Sequence, residues 1–335
     1  MGEYTEDNGL VSIIIPAYNA AHYIETCLRS IYSQTYSYFE VIVAYDEKST
    51  DDTLCVLTSL SEQYPHHIDI GRDTGSGAAR NRGFQFAKGE FIIFVDADDE
   101  LLPEYLSSMI TLFTKYPLLQ VVSCNYLVVS EENLVSGRGS AERASSTMRV
   151  YDRSTALKLK LHGILPSAPW TYLVRRRFLV DNAICFPDYS HGDDGVYTWK
   201  LVSYSESVGY CSKQLYLFIQ HPTSITHTLS DTWWDKYRAY RMEVFCLLDA
   251  TDPMIAVDFQ IKELRWLAYS YACQSSYQIF LDGLRKYGIT RLSFLQTSDT
   301  LLDRLSVICF RISKRLYYHL IRFWDRKKKT ESTLL

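Results

Sequence analysis

Four short runs of β-branched and aromatic residues alternate with amphipathic segments over the first hundred residues, and no other feature constrains the fold as strongly. The strand-like runs cover residues 11–15, 40–44, 67–70 and 91–95, and helical spacing of apolar residues covers 19–33, 49–64 and 77–87. Continuous apolar runs of this length are typical of strands buried on both faces, and intervening helices favour parallel pairing. The sequence therefore predicts an α/β fold with a mostly parallel central sheet flanked by helices.

Polar residues directly follow three of these predicted strands. Tyr18 and Asn19 come after the first strand, Asp46 comes after the second, and a carboxylate-rich segment at 96–99 follows the fourth. Ligands of open parallel sheets bind beyond the carboxyl ends of the strands. We therefore expect these sequence-distant side chains to converge at one edge of the sheet.

The pattern changes twice further along the chain. Strand-like runs (121–129, 172–174, 216–220) mix with helical ones (154–161, 194–204), and a polar segment at 130–146 is predicted to be a loop. After residue 231 only helical signals remain, with a break at 251–253. This organisation predicts a first domain over residues 10–228 and a helical carboxyl-terminal region over residues 229–335.

Composition restricts the class of protein. A net charge of −4 and a pI near 6.1 argue against nucleic-acid binding, which favours a basic excess. The eight cysteines are scattered without a CxxC pair, which is typical of reduced thiols in a cytoplasmic protein. An acidic start, and the lack of any stretch of about 18 apolar residues, give no sign of a signal peptide or a membrane-spanning helix. We therefore expect a cytoplasmic protein.

Three motifs contain residue types suited to catalysis or ligand binding. In FVDADDELLP, Asp96 and Asp98 are separated by one residue just after a buried strand, so both carboxylates can turn toward one Mg²⁺ or Mn²⁺ ion. By itself the motif is explained equally well as a solvated turn at a helix N-terminus.

The second motif, GSGAARNRG, contains two glycines and two arginines. Gly75 and Gly77 allow the backbone to approach an anion at the following helix N-terminus, where Arg80 and Arg82 can add charge-assisted contacts. The motif lacks the third glycine of dinucleotide-binding loops and the lysine of a P-loop. A glycine-rich loop before an amphipathic helix is the alternative.

The third motif, HGDDGVYTWKL, places Asp193 and Asp194 at the start of a predicted helix. Paired carboxylates in this position can simply cap the helix. Alternatively, one carboxylate beside another gains proton affinity, as a general base requires.

Together these segments resemble the family 2 glycosyltransferases of the GT-A fold, especially the bacterial enzymes that build capsular, cell-wall and lipopolysaccharide glycans. The resemblance covers residues 10–228 and implies a nucleotide-sugar-binding GT-A domain followed by a helical extension. It is carried by VSIIIPAYNA (11–20), CLRSIYSQTYSYFEVIV (27–43), STDDT (49–53), GAARNRGFQFAKGEFIIFVDADDELLP (77–103), APWTYLVRRRFL (168–179), CFPDYSHGDDGVYTWKL (185–201) and LYLFIQHPTSIT (215–226).

The resemblance implies a role for each matching residue. Asp46 would bind the uracil ring of a UDP-sugar and Asp96 would lie on the ribose side. The full set of implied donor-binding residues is Pro16, Tyr18, Asp46, Arg80 and Asp96. Asp98 would hold Mn²⁺ or Mg²⁺, and Trp170 would lie near the acceptor sugar. Asp194 would be the catalytic base, with Asp193 standing where the family usually has Glu.

Two positions depart from the family pattern. The turn YDEKS at 45–49 replaces the usual DDGS, so one acid and the glycine are lost and one residue is gained. His221 stands where relatives often have Arg, and it is either a further metal ligand or an ordinary polar loop histidine.

The implied activity is inverting, metal-dependent hexosyl transfer from a UDP-sugar to a growing glycan, such as a lipid-linked cell-surface polysaccharide. Departing negative charge would be neutralised by the metal ion, and Asp194 would take the proton of the acceptor hydroxyl. The alternative is a catalytically silent homologue that binds nucleotide sugar or scaffolds a glycan-assembly complex, and the altered turn is the feature that favours it.

The segment 304–329 predicts a basic amphipathic helix. Arg304, Arg311, Arg315 and Arg322 share one stripe, apolar residues fill the opposite side, and residues 326–329 are all basic. This pattern is typical of a helix on an anionic membrane surface, here the inner face of the cell membrane. A helix that packs on protein with a solvated arginine face explains the pattern equally well.

Overall fold

The computed structural model describes residues 7–130, 147–188, 192–221 and 233–274, together with 278, 281–282, 310 and 313–322. The chain forms two compact units, residues 1–247 and residues 248–335. All of the candidate site residues named above belong to the first unit.

Four parallel strands form the amino-terminal half of the sheet, which confirms the predicted alternation. In chain order the elements are β1 (Asp7–Ala17), α1 (Ile24–Tyr32), β2 (Phe39–Asp46), α2 (Thr53–Leu60), β3 (His67–Gly71), α3 (Ser76–Phe84) and β4 (Gly89–Phe94). The strands lie in the order β3-β2-β1-β4, with Ile13 opposite Val41 on one side and Ile93 on the other. The carboxyl ends of β1, β2 and β4 therefore point to the same edge of the sheet.

Strand β1 is the core of this half because its isoleucines are covered on both faces. Ile13, Ile14 and Ile15 are all fully buried. Helix α3 approaches so closely that a Cβ atom at Gly83 would lie 2.6 Å from Ile14 Cγ2. This tight packing brings the middle of α3, which carries Arg80, against the end of the sheet.

The second half of the sheet mixes parallel and antiparallel pairs. Its elements are β5 (Glu100–Leu101), α4 (Tyr105–Lys115), β6 (Val121–Ser130), β7 (Met148–Asp152), α5 (Arg153–Leu161), β8 (Tyr172–Arg175), α6 (Arg176–Asp181), α7 (Asp193–Tyr204) and β9 (Ser207–Gln220). Strand β8 is antiparallel to β4 and β6, whereas β9 is parallel to β6 and antiparallel to β5 and β7. The sheet is thus parallel in its first half and mixed in its second.

Several elements of this half differ from the sequence prediction. Strand β9 begins at Ser207, well before the predicted run at 216–220, and β5 and β7 are not predicted at all. The residues of β7 are mostly exposed and β5 has only two residues, so neither has an apolar run to reveal it. The loop predicted at 130–146 lies, apart from Ser130, outside the described residues.

Helices follow residue 232, as predicted. Helices α8 (Trp233–Thr251) and α9 (Pro253–Gln274) are interrupted only at residue 252, which confirms the predicted break. Among the described residues, no helix combines the length and the apolar character needed to span a bilayer. Most of the predicted basic helix at 304–329 lies outside those residues. In its described part, Tyr317, Tyr318 and Ile321 are buried, so these three apolar side chains are covered by protein, and membrane contact of the basic residues stays a prediction.

Candidate active site

The ends of β1 and β2 form the first part of the candidate site. Pro16 pairs with Ala44 across the two strands, and Tyr18, just beyond β1, is 54% exposed. Asp46 ends β2 and is buried. The structure therefore brings Pro16, Tyr18 and Asp46 to one edge of the sheet, while their contacts with a donor stay predictions.

The altered turn after β2 is closed by its own hydrogen bonds. The backbone N–H of Lys48 donates to Asp46 Oδ1 at 3.0 Å, and Ser49 Oγ donates to the Asp46 carbonyl at 2.8 Å. Asn19 adopts a left-handed φ of 49° and accepts the Thr50 N–H through its Oδ1 at 2.8 Å. The loops that follow β1 and β2 therefore hold each other in place without the glycine that is usual in the family.

Arg82 stabilises this turn through hydrogen bonds to the end of β2 and to residues in and just after β3. Its guanidinium donates to the Tyr45 carbonyl at 2.9 Å, to Asp73 Oδ2 at 2.7 Å and to Asp69. Burial lowers the pKa of Arg82, but Asp73 and Asp69 outweigh that effect and raise the pKa overall. The Arg82 guanidinium is thus engaged within the chain, and its contact with a donor stays a prediction.

Arg80 joins two carboxylates that are far apart in sequence. Its Nη1 donates to Asp194 Oδ1 at 2.7 Å, and its Nη2 donates to Asp96 Oδ1 at 2.6 Å. The side chain is only 2% exposed, and its guanidinium carbon lies 5.1 Å from the ring centre of Phe186. Both terminal nitrogens are therefore engaged by the chain itself, and the end of β4 is tied to the start of α7.

The two aspartates that begin α7 have different surroundings. The helix N-cap is Gly192, so neither aspartate occupies the capping position. Asp193 is buried against α3, so closely that a Cβ atom at Gly77 would lie 2.7 Å from its Oδ2. Asp194 pairs with Arg80 on one side and is 41% exposed on the other.

The environment of Asp194 raises its proton affinity. Burial raises the pKa of its carboxyl, Arg80 lowers it, and the charges of Asp193 and Asp96 raise it again, with the result that the pKa is about 7. A carboxylate with this pKa can accept a proton near neutral pH, and the solvent-facing side of Asp194 leaves room for the group that gives it. These are the properties of a general base.

Asp98 and His221 form a second group of polar side chains in the candidate site. His221 Nε2 is 3.9 Å from Asp98 Oδ2, and the Asp98 side chain is 44% exposed. Burial, followed by the negative charge of Asp96, raises the pKa of Asp98. Two atoms that bind one cation lie roughly 3–4 Å apart, so the separation suits a shared divalent ion. In the described parts of the chain no three His, Cys, Asp or Glu side chains surround a common cation position.

Asp99 and Tyr216 form a support that sequence reasoning missed. Tyr216 is fully buried, and its hydroxyl donates to Asp99 Oδ2 at 2.7 Å while it accepts the Asp96 N–H at 3.2 Å. Asp99 Oδ1 accepts the Ile219 N–H at 2.8 Å, and burial, together with Asp96 and Asp98, raises the pKa of Asp99 well above its usual range. One aspartate of the DADD motif is thus structural, and it fixes the loop that carries Asp96 and Asp98.

Trp170 lies in an aromatic cluster beneath this loop. The residue belongs to a single 3₁₀ turn (Pro169–Thr171), and it is only 6% exposed. Its ring stacks on Tyr216 with a centroid distance of 4.0 Å and meets Tyr126 edge to face at 4.9 Å. The acceptor contact of Trp170 stays a prediction, and what the structure shows is packing under Tyr216.

Asn81, beside Arg80 on α3, holds the segment that leads toward α7. Its Nδ2 donates to the Phe186 carbonyl at 2.9 Å, and its Oδ1 accepts the Phe186 N–H at 3.0 Å. Phe186 in turn stacks on Tyr197 of α7 with a centroid distance of 4.2 Å. The three consecutive residues Arg80, Asn81 and Arg82 therefore fix three different parts of the site.

The sheet, its flanking helices and the helices that follow residue 232 define the GT-A fold with a helical carboxyl-terminal portion. More particularly, the chain belongs to glycosyl transferase family 2, because the model of that family matches residues 12–182, just over half of its length. The family resemblance read from the motifs is confirmed.

Two relatives illustrate the sequence similarity. The chain is 32% identical over 225 residues to the uncharacterized glycosyltransferase YibD of Escherichia coli (strain K12), which covers 64% of this chain and 63% of YibD. It is also 32% identical over 129 residues to the UDP-Glc:alpha-D-GlcNAc-diphosphoundecaprenol beta-1,3-glucosyltransferase WfgD of Escherichia coli. That matched region covers 38% of this chain and 50% of WfgD. The chain thus spans less than two thirds of the length of either relative.

Two solved structures share the fold. The S. aureus TarS fragment 1-349 in complex with UDP-GlcNAc has a TM-score of 0.70 at 19% identity, covering 95% of this chain and 92% of that one. The mannosyltransferase PcManGT from Pyrobaculum calidifontis, in complex with GDP-Man and Mn²⁺, has a TM-score of 0.53 at 17% identity, covering 94% and 87%. At these identities the likeness establishes the architecture.

Proposed function

We propose that this chain is an inverting, metal-dependent glycosyltransferase that moves a hexose from a UDP-sugar to a growing cell-surface glycan. The observation that carries the proposal is the bridge made by Arg80 between Asp96 and Asp194. It brings a carboxylate with a pKa of about 7 next to the loop that would hold the donor and its cation. Base and donor site then share one side of the sheet.

The donor would lie across the ends of β1, β2 and β4. Tyr18 is exposed there, Asp46 ends β2 and Asp96 follows β4 on the other side of β1, which suits a nucleoside with its base toward β2 and its ribose toward β4. UDP as the nucleotide is supported by the TarS complex with UDP-GlcNAc and by the UDP-Glc donor in the name of WfgD.

Asp98 and His221 would hold a divalent cation, Mn²⁺ or Mg²⁺, together with diphosphate oxygens. The oxygen and imidazole ligands suit such ions, and PcManGT was solved with Mn²⁺. When bound, the cation supplies positive charge that stabilises the departing diphosphate.

Asp194 would act as the base. The acceptor hydroxyl oxygen attacks the anomeric carbon as the bond from that carbon to the diphosphate oxygen breaks, and the hydroxyl proton passes to a carboxylate oxygen of Asp194. Arg80 favours the ionised form of Asp194 and would orient it through the 2.7 Å hydrogen bond to its Oδ1. Direct displacement with a single base inverts the configuration at the anomeric carbon.

The acceptor would be a glycan, in its lipid-linked form an intermediate of cell-surface polysaccharide assembly. The name of WfgD, which includes a diphosphoundecaprenol acceptor, supports this proposal. Trp170 would contribute through the loop it supports, and the basic segment 304–329 would hold the protein at the inner membrane surface near such an acceptor.

A panel of nucleotide sugars tests the proposal. With Mn²⁺ present, we expect one UDP-sugar to raise the melting temperature more than UDP alone, and to release UDP when a glycan acceptor or water accepts the sugar. A silent homologue would show the thermal shift and no release of UDP. The catalytic proposal would be abandoned if no nucleotide sugar in the panel produced either signal.

A further inference from the structure

We propose that Tyr240 is a positioning residue for Asp193 and Asp194, so that helix α8 completes the active site. Tyr240 lies beyond both the family match at 12–182 and the predicted catalytic domain at 10–228. The inference rests on the proposed role of Asp194 as the base. It assigns a function to part of the helical region that follows the sheet.

The ring of Tyr240 covers the two glycines that flank the aspartates. Gly192 has a left-handed φ of 86°, and a Cβ atom there would lie 2.7 Å from Tyr240 Cβ. A Cβ atom at Gly195 would lie 2.6 Å from Tyr240 Cε2. Residues three apart lie on the same side of a helix, so the ring contacts the side of the first turn of α7 that carries the two glycines. Asp193 and Asp194 lie on the other sides of that turn.

Helix α3 contacts the same turn through its own residues. A Cβ atom at Gly77 would lie 2.7 Å from Asp193 Oδ2, and Arg80 pairs with Asp194 at 2.7 Å. The first turn of α7 is therefore held between the α3 backbone and the Tyr240 ring. Neither side leaves space for an added methyl group, so movement of the turn toward α3 or toward Tyr240 is restricted.

Two polar contacts fix the register of α7 against α8. Lys200 Nζ lies 2.9 Å from Glu243 Oε1, and the Trp199 indole N–H donates to the Tyr240 hydroxyl. Glu243 follows Tyr240 by one helical turn, so the ring and the ion pair lie along the same seam. The ion pair and the hydrogen bond together set the position along α7 that the ring of Tyr240 contacts.

Removing the ring would free the first turn of α7 to move. A displacement of about 1 Å at a reacting group can cost about 100-fold in rate, because the reaction requires a near-attack geometry. The donor lies mainly on β1, β2 and β4 in the proposed function. Loss of Tyr240 should therefore lower kcat and leave UDP binding nearly unchanged.

Three variants separate these effects. Tyr240→Ala removes the ring and should lower kcat about 10- to 100-fold with the donor KM changed less than about threefold. Tyr240→Phe keeps the ring and the Lys200–Glu243 ion pair but loses the hydrogen bond from Trp199, so it should retain a kcat well above that of Tyr240→Ala. Tyr204→Ala, at the far end of α7 where the side chain is 40% exposed, is the matched control and should behave as wild type.

A double-mutant cycle keeps the test independent of folding defects. Gly195→Ala alone should lower kcat because its methyl group meets the Tyr240 ring, and adding Tyr240→Ala should recover part of that loss. Strictly additive losses in the cycle, or a kcat for Tyr240→Ala equal to that of Tyr204→Ala, would overturn the proposal.

Amide hydrogen exchange gives a readout that does not depend on turnover. Tyr240→Ala should speed exchange at residues 193–198, whereas Tyr204→Ala should not. If the wild-type protein transferred no sugar, the proposed function would fail on its own, and unchanged exchange would separately reject the positioning role.

Discussion

The guanidinium of Arg80 donates a 2.7 Å hydrogen bond to Asp194, and the same group holds Asp96 through its other terminal nitrogen at 2.6 Å. The buried guanidinium of Arg80 thus contacts both the proposed base and the donor side of the site. Burial and the neighbouring carboxylates favour a protonated Asp194, and Arg80 opposes them. The balance leaves its pKa at about 7, where a base is useful at neutral pH.

Removing Arg80 should shift the pH dependence of transfer to higher pH. Without the positive charge, the pKa of Asp194 rises above its present value of about 7, so the ionised base forms only in more alkaline solution. For Arg80→Met we expect the acidic limb of kcat to move up by about one to two pH units, with partial recovery of activity near pH 9. A pH–rate profile measures this shift.

The control for that profile is Arg177→Met. Arg177 pairs with Asp181 on the surface, with a side chain that is 79% exposed, so its loss should leave the limb where it is. If the acidic limb of the kcat profile of Arg80→Met coincided with that of wild type, Arg80 would not set the pKa of Asp194.

Replacing the proposed base should abolish transfer without preventing donor binding. Asp194→Asn retains the shape and a hydrogen-bond acceptor for Arg80 but cannot take a proton, so kcat should fall by about 10²- to 10⁴-fold. UDP affinity, measured by calorimetry, should change little. Turnover of Asp194→Asn at the wild-type rate would assign the base elsewhere, and Asp181→Asn on the exposed end of α6 serves as the control.

Metal dependence should follow Asp98. Chelation with EDTA should stop sugar transfer, and Mn²⁺ should restore it, because the charge on the departing diphosphate then has its cation again. For Asp98→Asn the Mn²⁺ concentration needed for half-maximal rate should rise about tenfold or more. If Asp98→Asn needed the same Mn²⁺ concentration as wild type for half-maximal rate, Asp98 would not be a metal ligand.

Tyr216→Phe should destabilise the protein and weaken the loop that carries the metal ligand. The variant leaves the buried Asp99 Oδ2 and the Asp96 N–H without the tyrosine hydroxyl, and an unsatisfied buried group costs about 1–3 kcal/mol. Urea unfolding should show that loss in the free energy of unfolding. Equal stability of wild type and variant would mean that other groups satisfy both atoms.

The basic segment near the carboxyl terminus should carry any binding to anionic membranes. Each lysine or arginine near such a surface contributes about 1 kcal/mol, so changing residues 327–329 from Lys to Glu should abolish sedimentation with vesicles containing phosphatidylserine. Because Tyr317 and Ile321 are buried, the charges rather than the apolar side of the segment are the part to test. Identical sedimentation of wild type and variant would contradict this role.

The sequence alone determined the parallel half of the sheet and the residues at its edge. Apolar runs such as 11–15 and 91–95 are long enough to specify buried strands, because burial of both strand faces requires them. Once those strands are recognised, the rule for parallel sheets brings Tyr18, Asp46 and Asp98 to one edge. The break between α8 and α9 was equally local, since Pro253 cannot continue a helix from the preceding residue.

Only the tertiary structure decided what each polar side chain does. Arg80 and Arg82 are two residues apart with the same chemistry, yet one bridges Asp96 and Asp194 while the other braces the Tyr45 carbonyl. Asp98 faces outward, whereas the adjacent Asp99 is buried under β9. These assignments depend on which side of an element faces which distant neighbour. Local propensity and spacing contain no information about that, because the partners meet only when the helices pack on the sheet.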